Sequence, residues 1–388
     1  MKGFILSSAL LGWIVCGQFA AAQSKKATAS GKPGSAVKSA PKAAVRRTAR
    51  KAAPKKRVYR AAPAVDPTLG DNIDGDDLAV RRAAVAALGT LNGSVVAVDP
   101  TTGRVLTVVN QKLALQSGFT PCSTIKLVTS LAALNEHVVG STEFIRTGRY
   151  ASHTLSTALA RSDNPYFATL GNRLGFERVT RYAQMLGLGE RAGLDIEGEQ
   201  PGVIPSTPPK WGGLGIMTSF GEGFQVTPLE LAALISAISN GGTLYYLQYP
   251  KSQADVDSFT PKVKRTLELE ASGLADIKPG MRGAVDYGTA RRANYDPAER
   301  ILGKTGTCTD FRVSTHMGWF GSYLDGPRPV VVVVMLTGTK TVNGPVASGI
   351  AGAVYKKLAE QAWFVASAAH PKEKDGMPDL VTSYPRQQ

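Results

Sequence analysis

Ser123 and Lys126 stand three residues apart in the stretch GFTPCSTIKLVTSL, residues 118–131. On a helix that spacing puts both side chains on one face, so the amine can reach the hydroxyl. A serine is a weak nucleophile until a base takes its proton. Lysine can be that base only after losing its own proton, which burial or a nearby positive charge favours. Pro121 ahead of the helix and Ser123 in its first turn would also aim backbone N–H groups at whatever the serine attacks. The pair alone is equally what a capping serine followed by a solvated lysine looks like. Ser35 with Lys38 and Ser39 with Lys42 repeat the spacing in a tract that has no apolar period.

Two later stretches add what the pair lacks. ARSDNPYF, residues 160–167, offers Ser162 and Asn164 two apart, with Pro165 forcing local irregularity, so a loop there presents a hydroxyl and an amide. LGKTGTC, residues 302–308, sets Lys304, Thr305, Gly306 and Thr307 on a strand whose glycine lets a substrate backbone come close. Each element alone is common. The three in this order, at a helix start, between helices and on a late strand, are specific. His137, His153 and His316 are scattered, and no Cys/His/Asp group has metal-ligand spacing, so neither a metal nor another cofactor is expected.

The elements that must position these residues are also legible. LNGSVVAVDPTTGRVLTVVN, residues 91–110, reads as two β-branched runs around a Pro-Thr-Thr-Gly turn, a hairpin. Helical periods follow at Leu155–Leu174, Val179–Leu186 and Pro228–Ser239, the last stopped by Asn-Gly-Gly. ILGKTGTC, STHMGWFGSY and the unbroken PVVVVVML read as three closing strands, and a helix is expected from about Val346 to Ala362. Strands at both ends with helices between them imply an α+β fold whose sheet is built from both termini, with a helical subdomain.

The 388 residues are 43% hydrophobic, enough for one large core or two modest ones, and carry a net charge of +15. That charge is local. Ser24–Ala62 holds thirteen Lys or Arg and no acid, and beyond residue 62 there remain 31 basic residues against 30 acidic, so nucleic-acid binding by the body is excluded on charge. The tract, rich in Ala, Lys and Pro, cannot offset its chain entropy by burial and is expected to be disordered. Ahead of it, Lys2, the apolar run Phe4–Val15 and Ala20-Ala21-Ala22 have the layout of a secretory signal, with an uncleaved membrane anchor as the alternative. The expected organisation is therefore a signal at 1–22, a basic linker at 23–65 and a catalytic domain at 66–388, exported to the periplasm or cell envelope. The basic linker suits anionic wall polymers or a membrane surface.

With its SxxK, SDN and KTG motifs in order, the chain resembles the penicillin-binding transpeptidase family, from about Asn92 to Ala362. NGSVVAVDPTTGRVL is similar to the family's opening hairpin, SDNPYFATLGNRLGFERVTRYAQMLGLG to its central helices, and FGEGFQVTPLELAALISAISNGG to a further characteristic stretch. The resemblance implies a β-lactamase/transpeptidase-like antiparallel sheet with flanking helices. It implies Ser123 as the acylated nucleophile, Lys126 as its base, Ser162 as a proton relay and Asn164 as a holder of the substrate amide. Lys304, with Thr305 and Thr307, would grip the substrate's terminal carboxylate, and the N–H groups of Ser123 and Thr307 would form the oxyanion hole. The implied substrate is the D-alanyl-D-alanine end of a peptidoglycan stem peptide, with β-lactam antibiotics as covalent mimics. If the Ser123 helix docks beside the KTG strand, as a shared oxyanion hole requires, Cys122 and Cys308 come within bridging distance, and a disulfide is expected.

Three other readings stay open at this point. A D,D-carboxypeptidase differs only in using water as acceptor. A serine β-lactamase would need a deacylating base, for which Glu197 or Glu199 is the candidate. A non-catalytic β-lactam sensor or wall-binding protein would keep the pocket without turnover. The family's wall-building members carry a large N-terminal pedestal, whereas here the basic tract runs almost directly into the hairpin.

Overall fold

The computed structural model describes residues 66–365 except 117 and 313. The expected signal at 1–22 and linker at 23–65 lie outside the described residues.

Strands form where β-branched residues run together. β1 (Gly93–Val98) and β2 (Val105–Val109) make the expected hairpin. Its turn is closed by Asp99, which accepts from the backbone N–H and the hydroxyl of Thr101 at 2.9 and 2.6 Å, while Gly103 takes the left-handed φ of 76°. β3 (Ile301–Asp310), β4 (Thr315–Leu324) and β5 (Val330–Gly338) form a meander at the other end of the chain. The sheet order is β2-β1-β5-β4-β3 with every neighbouring pair antiparallel, so the first hairpin pairs with the last strand, Val95 opposite Val334. The unbroken valine run is explained by burial on both sides. Val331, Val333 and Met335 enter one core cluster, and Val330, Val332, Val334 and Leu336 the other.

In chain order the helices that concern the site are α1 (Leu78–Leu88), α2 (Lys126–Asn135), α3 (Leu155–Arg161), α4 (Asn164–Leu174), α5 (Phe176–Met185), α6 (Gly213–Phe220), α7 (Pro228–Ser239), α8 (Ala271–Asp286) and α9 (Gly344–Glu360). Helices α1 and α9 share the second core cluster, and α7 the first. α7 starts at a capping box: the Thr227 hydroxyl accepts from Glu230 N–H, and the Glu230 carboxylate accepts from Thr227 N–H. Glu230 also accepts from the N–H groups of Gly189 and Gly202, tying the loop ahead of α7 to its first turn.

Two departures from the expected pattern matter. The helical period over 155–174 is two helices, α3 and α4, because Ser162 takes a left-handed φ of 58° as the C-cap of α3 and Asp163 caps α4 through Tyr166 N–H. α8, which carries Gly273, Pro279, Gly280 and Gly283 in its interior, has no clear helical signal; packing overrides propensity there, since a Cβ at Gly280 would meet Leu159 Cβ of α3 at 2.9 Å.

The acidic stretch at 66–77 is tied into the fold by its side chains. Arg81 of α1, 6% exposed, donates to Asp71 at 2.7 Å, to Asp76 at 3.1 Å and to Val108 O at 3.1 Å. Asp76 in turn accepts from Thr107 Oγ1 at 2.6 Å and from Tyr249 OH at 2.7 Å. Removing one partner strands buried charge, so Arg81→Ala is expected to lower stability by about 3–5 kcal/mol. A denaturant midpoint unchanged from wild type would contradict this.

Candidate active site

The segment carrying Ser123 is a 3-10 turn, Cys122–Ile125, which passes into α2 at Lys126. Ser123 therefore lies in that turn, just ahead of the α-helix, rather than in the helix's first turn. Cys122 takes φ 52°, a left-handed value unusual for a residue with a side chain, so the surrounding contacts must hold the turn. Four contacts from β3 and β4 reach the turn or the two residues ahead of it. Cys122 and Cys308 are joined as a disulfide with Cα atoms 5.5 Å apart. Thr120 Oγ1 donates to Asp310, and Thr120 O accepts from the indole N–H of fully buried Trp319 at 3.0 Å. At Gly306 a Cβ would come within 2.9 Å of Pro121 O and 3.2 Å of Cys122 Cβ, so only glycine lets β3 abut the turn this closely.

The disulfide closes a loop of 186 residues. Large closed loops remove much chain entropy from the unfolded state, so replacing both cysteines by alanine is expected to cost about 2–5 kcal/mol. A fall in the denaturant midpoint checks this, and an unchanged midpoint would count against it.

The three motifs converge on two buried amines. Lys126 Nζ lies 2.9 Å from Ser123 Oγ, 3.0 Å from Ser162 Oγ, 3.0 Å from Ser162 O and 2.6 Å from Asn164 Oδ1. Lys304 Nζ also lies 2.9 Å from the same Ser162 Oγ and donates to Thr305 O at 2.8 Å. The left-handed Ser162 is what brings its hydroxyl and its carbonyl to Lys126 together. Both lysines are wholly buried. Burial lowers the Lys126 amine to about 7, opposed by the nearby Asp163 carboxylate. Burial, reinforced by the charge of Lys126, holds Lys304 well below the ordinary lysine value.

Ser123, 8% exposed, borders a cavity of about 540 Å³ together with Ser162, Asn164, Thr305 and Thr307. Thr305 Oγ1 is 2.6 Å from Thr289 Oγ1, and Thr307 Oγ1 accepts from Gly344 N–H at 2.8 Å at the start of α9. Glu197 and Glu199 are not among the residues lining it. Glu199 instead accepts from Ala192 and Gly193 N–H groups at 2.8 and 3.0 Å, holding its own loop. Two lining residues that motif reading passed over are Arg291 and Arg292, which follow Thr289. The doubled arginine before the KTG strand is the only sequence signal they leave.

A hydroxyl beside a neutralisable amine, open to a cavity and backed by a second amine, is equipped for nucleophilic acyl transfer. The penicillin binding protein transpeptidase domain matches residues 93–360, and the chain belongs to that family. It is similar to stage V sporulation protein D of Bacillus subtilis, 30% identical over 64% of this chain and 43% of that protein. It is also similar to the peptidoglycan D,D-transpeptidase MrdA of Acinetobacter baumannii, 23% identical over 62% of this chain and 45% of that protein. The chain thus spans less than half the length of these relatives. In fold it is similar to the transpeptidase domain of penicillin-binding protein 3 from Burkholderia pseudomallei, with TM-score 0.63, 20% identity, and 73% of this chain and 93% of that one covered.

Proposed function

We propose that this chain is a serine D,D-transpeptidase that acts on D-alanyl-D-alanine stem peptides of peptidoglycan through an acyl-enzyme and binds penicillin covalently at Ser123. The observation that carries the reading is the unbroken run of hydrogen-bond distances from Ser123 Oγ through Lys126 Nζ and Ser162 Oγ to Lys304 Nζ.

Neutral Lys126 takes the Ser123 proton as Oγ attacks the carbonyl between the two D-alanines. The oxyanion is received by the N–H groups of Ser123 and Thr307. The C–N bond then breaks, and the proton passes from Lys126 through Ser162 Oγ to the leaving amine. Asn164 holds the substrate amide, while Lys304, Thr305 and Thr307 hold the terminal carboxylate of the leaving D-alanine. Gly306 lets the turn that bears Ser123 sit against them. An incoming amine attacks the ester, its proton returns to Ser123 Oγ, and a new peptide bond is left.

A D,D-carboxypeptidase would use the same groups with water as acceptor. The β-lactamase reading is weaker, because among the described residues no carboxylate lines the cavity to activate a deacylating water. The test is intact-protein mass spectrometry after penicillin. One adduct per chain, mapped to Ser123, together with release of D-alanine from a stem peptide, is the expected result. Fast turnover of nitrocefin without an adduct would select a β-lactamase, and an adduct without D-alanine release a sensor.

We further propose that the chain is exported to the cell envelope by the signal-like segment 1–22 and that the basic tract 23–65 associates with anionic wall polymers or a membrane surface. The thirteen cations without an acid in Ser24–Ala62 support this, and high salt is expected to release the chain from cell envelopes.

A further inference from the structure

The turn that bears Ser123 is also held by the end of α6. A helix leaves its last carbonyls without partners of its own, and they must be met from elsewhere. In α6 the cap residue Gly221 donates its N–H to Met217 O. The next two carbonyls are met by hydroxyls of the nucleophile segment. Thr129 Oγ1 of α2 lies 3.3 Å from Thr218 O, and Ser123 Oγ lies 3.3 Å from Ser219 O. Thr218, Ser219 and Thr129 are all buried, where an unmet carbonyl costs free energy. Phe220, the residue after Ser219, borders the cavity.

The approach is this close because residue 221 has no side chain. Gly221 takes the left-handed φ of 76°, and a Cβ there would meet Pro121 Cγ at 2.5 Å and Cys122 O at 3.3 Å. α6 is itself pinned: Thr218 Oγ1 donates to Phe167 O of α4 at 2.9 Å, and a Cβ at Gly171 of α4 would fall 2.1 Å from that hydroxyl. Thr129 Oγ1 is also 3.4 Å from Ile125 O, so one hydroxyl spans the 3-10 turn and α6.

Ser123 Oγ thus has two partners for one proton, the Ser219 carbonyl at 3.3 Å and the Lys126 amine at 2.9 Å. A protonated amine can only donate to Oγ, which leaves the Ser123 O–H free for Ser219 O. Once the amine is neutral its lone pair accepts that O–H, by rotation about the Cβ–Oγ bond with no heavy atom moving. We propose that the end of α6 is a rest for the nucleophile: Ser219 O holds the Ser123 hydroxyl until Lys126 takes its proton, and Gly221 is the positioning residue that sets how closely the two segments meet. This inference rests on the acyl-transfer reading above. It gives α6 a part in the geometry of attack, where a displacement of about 1 Å costs roughly hundredfold in rate.

The experiment follows adduct formation on the full chain by intact-protein mass spectrometry across penicillin concentrations, which separates the rate at saturation from the half-saturating concentration. Gly221→Ala is expected to lower the saturating rate roughly ten- to hundredfold and to leave the half-saturating concentration within about twofold of wild type. Pro121→Ala removes the atom that the new methyl meets, so Gly221→Ala/Pro121→Ala is expected to recover most of the loss. Thr129→Val keeps the glycine but removes the hydroxyl that spans the turn and α6, and is expected to be slowed roughly fivefold at saturation. It carries the test alone if the denaturant midpoint shows that Gly221→Ala does not fold. An unchanged saturating rate in Gly221→Ala or in Thr129→Val overturns the inference. So does a Gly221→Ala defect confined to the half-saturating concentration, or one that Pro121→Ala fails to relieve. A wild type that forms no adduct would instead sink the underlying acyl-transfer assignment.

Discussion

Ser123→Ala is expected to carry no penicillin adduct at all, and Lys126→Met to form its adduct roughly 10²–10⁴-fold more slowly than wild type. Ser123 Oγ lies 2.9 Å from the Lys126 amine and borders the cavity from the 3-10 turn. Its removal takes away the proposed nucleophile. Methionine keeps most of the volume of the buried lysine stem, packed near the Phe167 ring, but offers no base. Ser162 Oγ would still have Lys304 at 2.9 Å, so the pocket is not emptied of polar partners, and the loss reports proton removal from Ser123 rather than collapse. The measurement is the rate of adduct formation by mass, with the denaturant midpoint as a control for folding. An adduct on Ser123→Ala at some other residue, or Lys126→Met acylating at the wild-type rate, would refute the assignment.

Acylation by wild type is expected to rise with pH through about 7 and to level off above it, because burial holds the Lys126 amine at about 7. The sign follows from the active form. In the proposed mechanism the base is the neutral amine, so below the midpoint each pH unit protonates it further and lowers the rate roughly tenfold. Asp163, the N-cap of α4, opposes burial by favouring the charged amine. Asp163→Asn can still cap the helix but carries no charge, so it is expected to move the midpoint down. A midpoint near the ordinary lysine value, or an upward move in Asp163→Asn, would contradict the electrostatic account. The same burial has a stability counterpart. Between about 7 and the ordinary value of 10.5 the unfolded chain holds a proton that the folded chain lacks, so Lys126 makes stability rise with pH across that window.

Much of the site could be read from local pattern. The spacing of Ser123 and Lys126, the Ser162 and Asn164 pair, and the strand bearing Lys304 to Thr307 are each written in a few consecutive residues. Hairpin and closing strands were legible for the same reason, since β-branched runs and turn residues act over short range. The left-handed Ser162 was not, because the periodicity of 155–174 continues across the break and only Pro165 hints at it. The lock formed by Arg81 was hidden too. Thr107 and Tyr249 reach Asp76 from 31 and 173 residues away, and nothing local marks an acid for burial.

The order of the three motifs and the α+β layout were determined by the sequence alone, because residue type and short spacing set which groups are present and which elements carry them. Tertiary structure decided that two lysines 178 residues apart share one serine hydroxyl, that burial lowers the amine of the first to about 7, and that two arginines line the cavity. Distance in space, desolvation and the strength of one charge on another exist only once the chain has closed on itself.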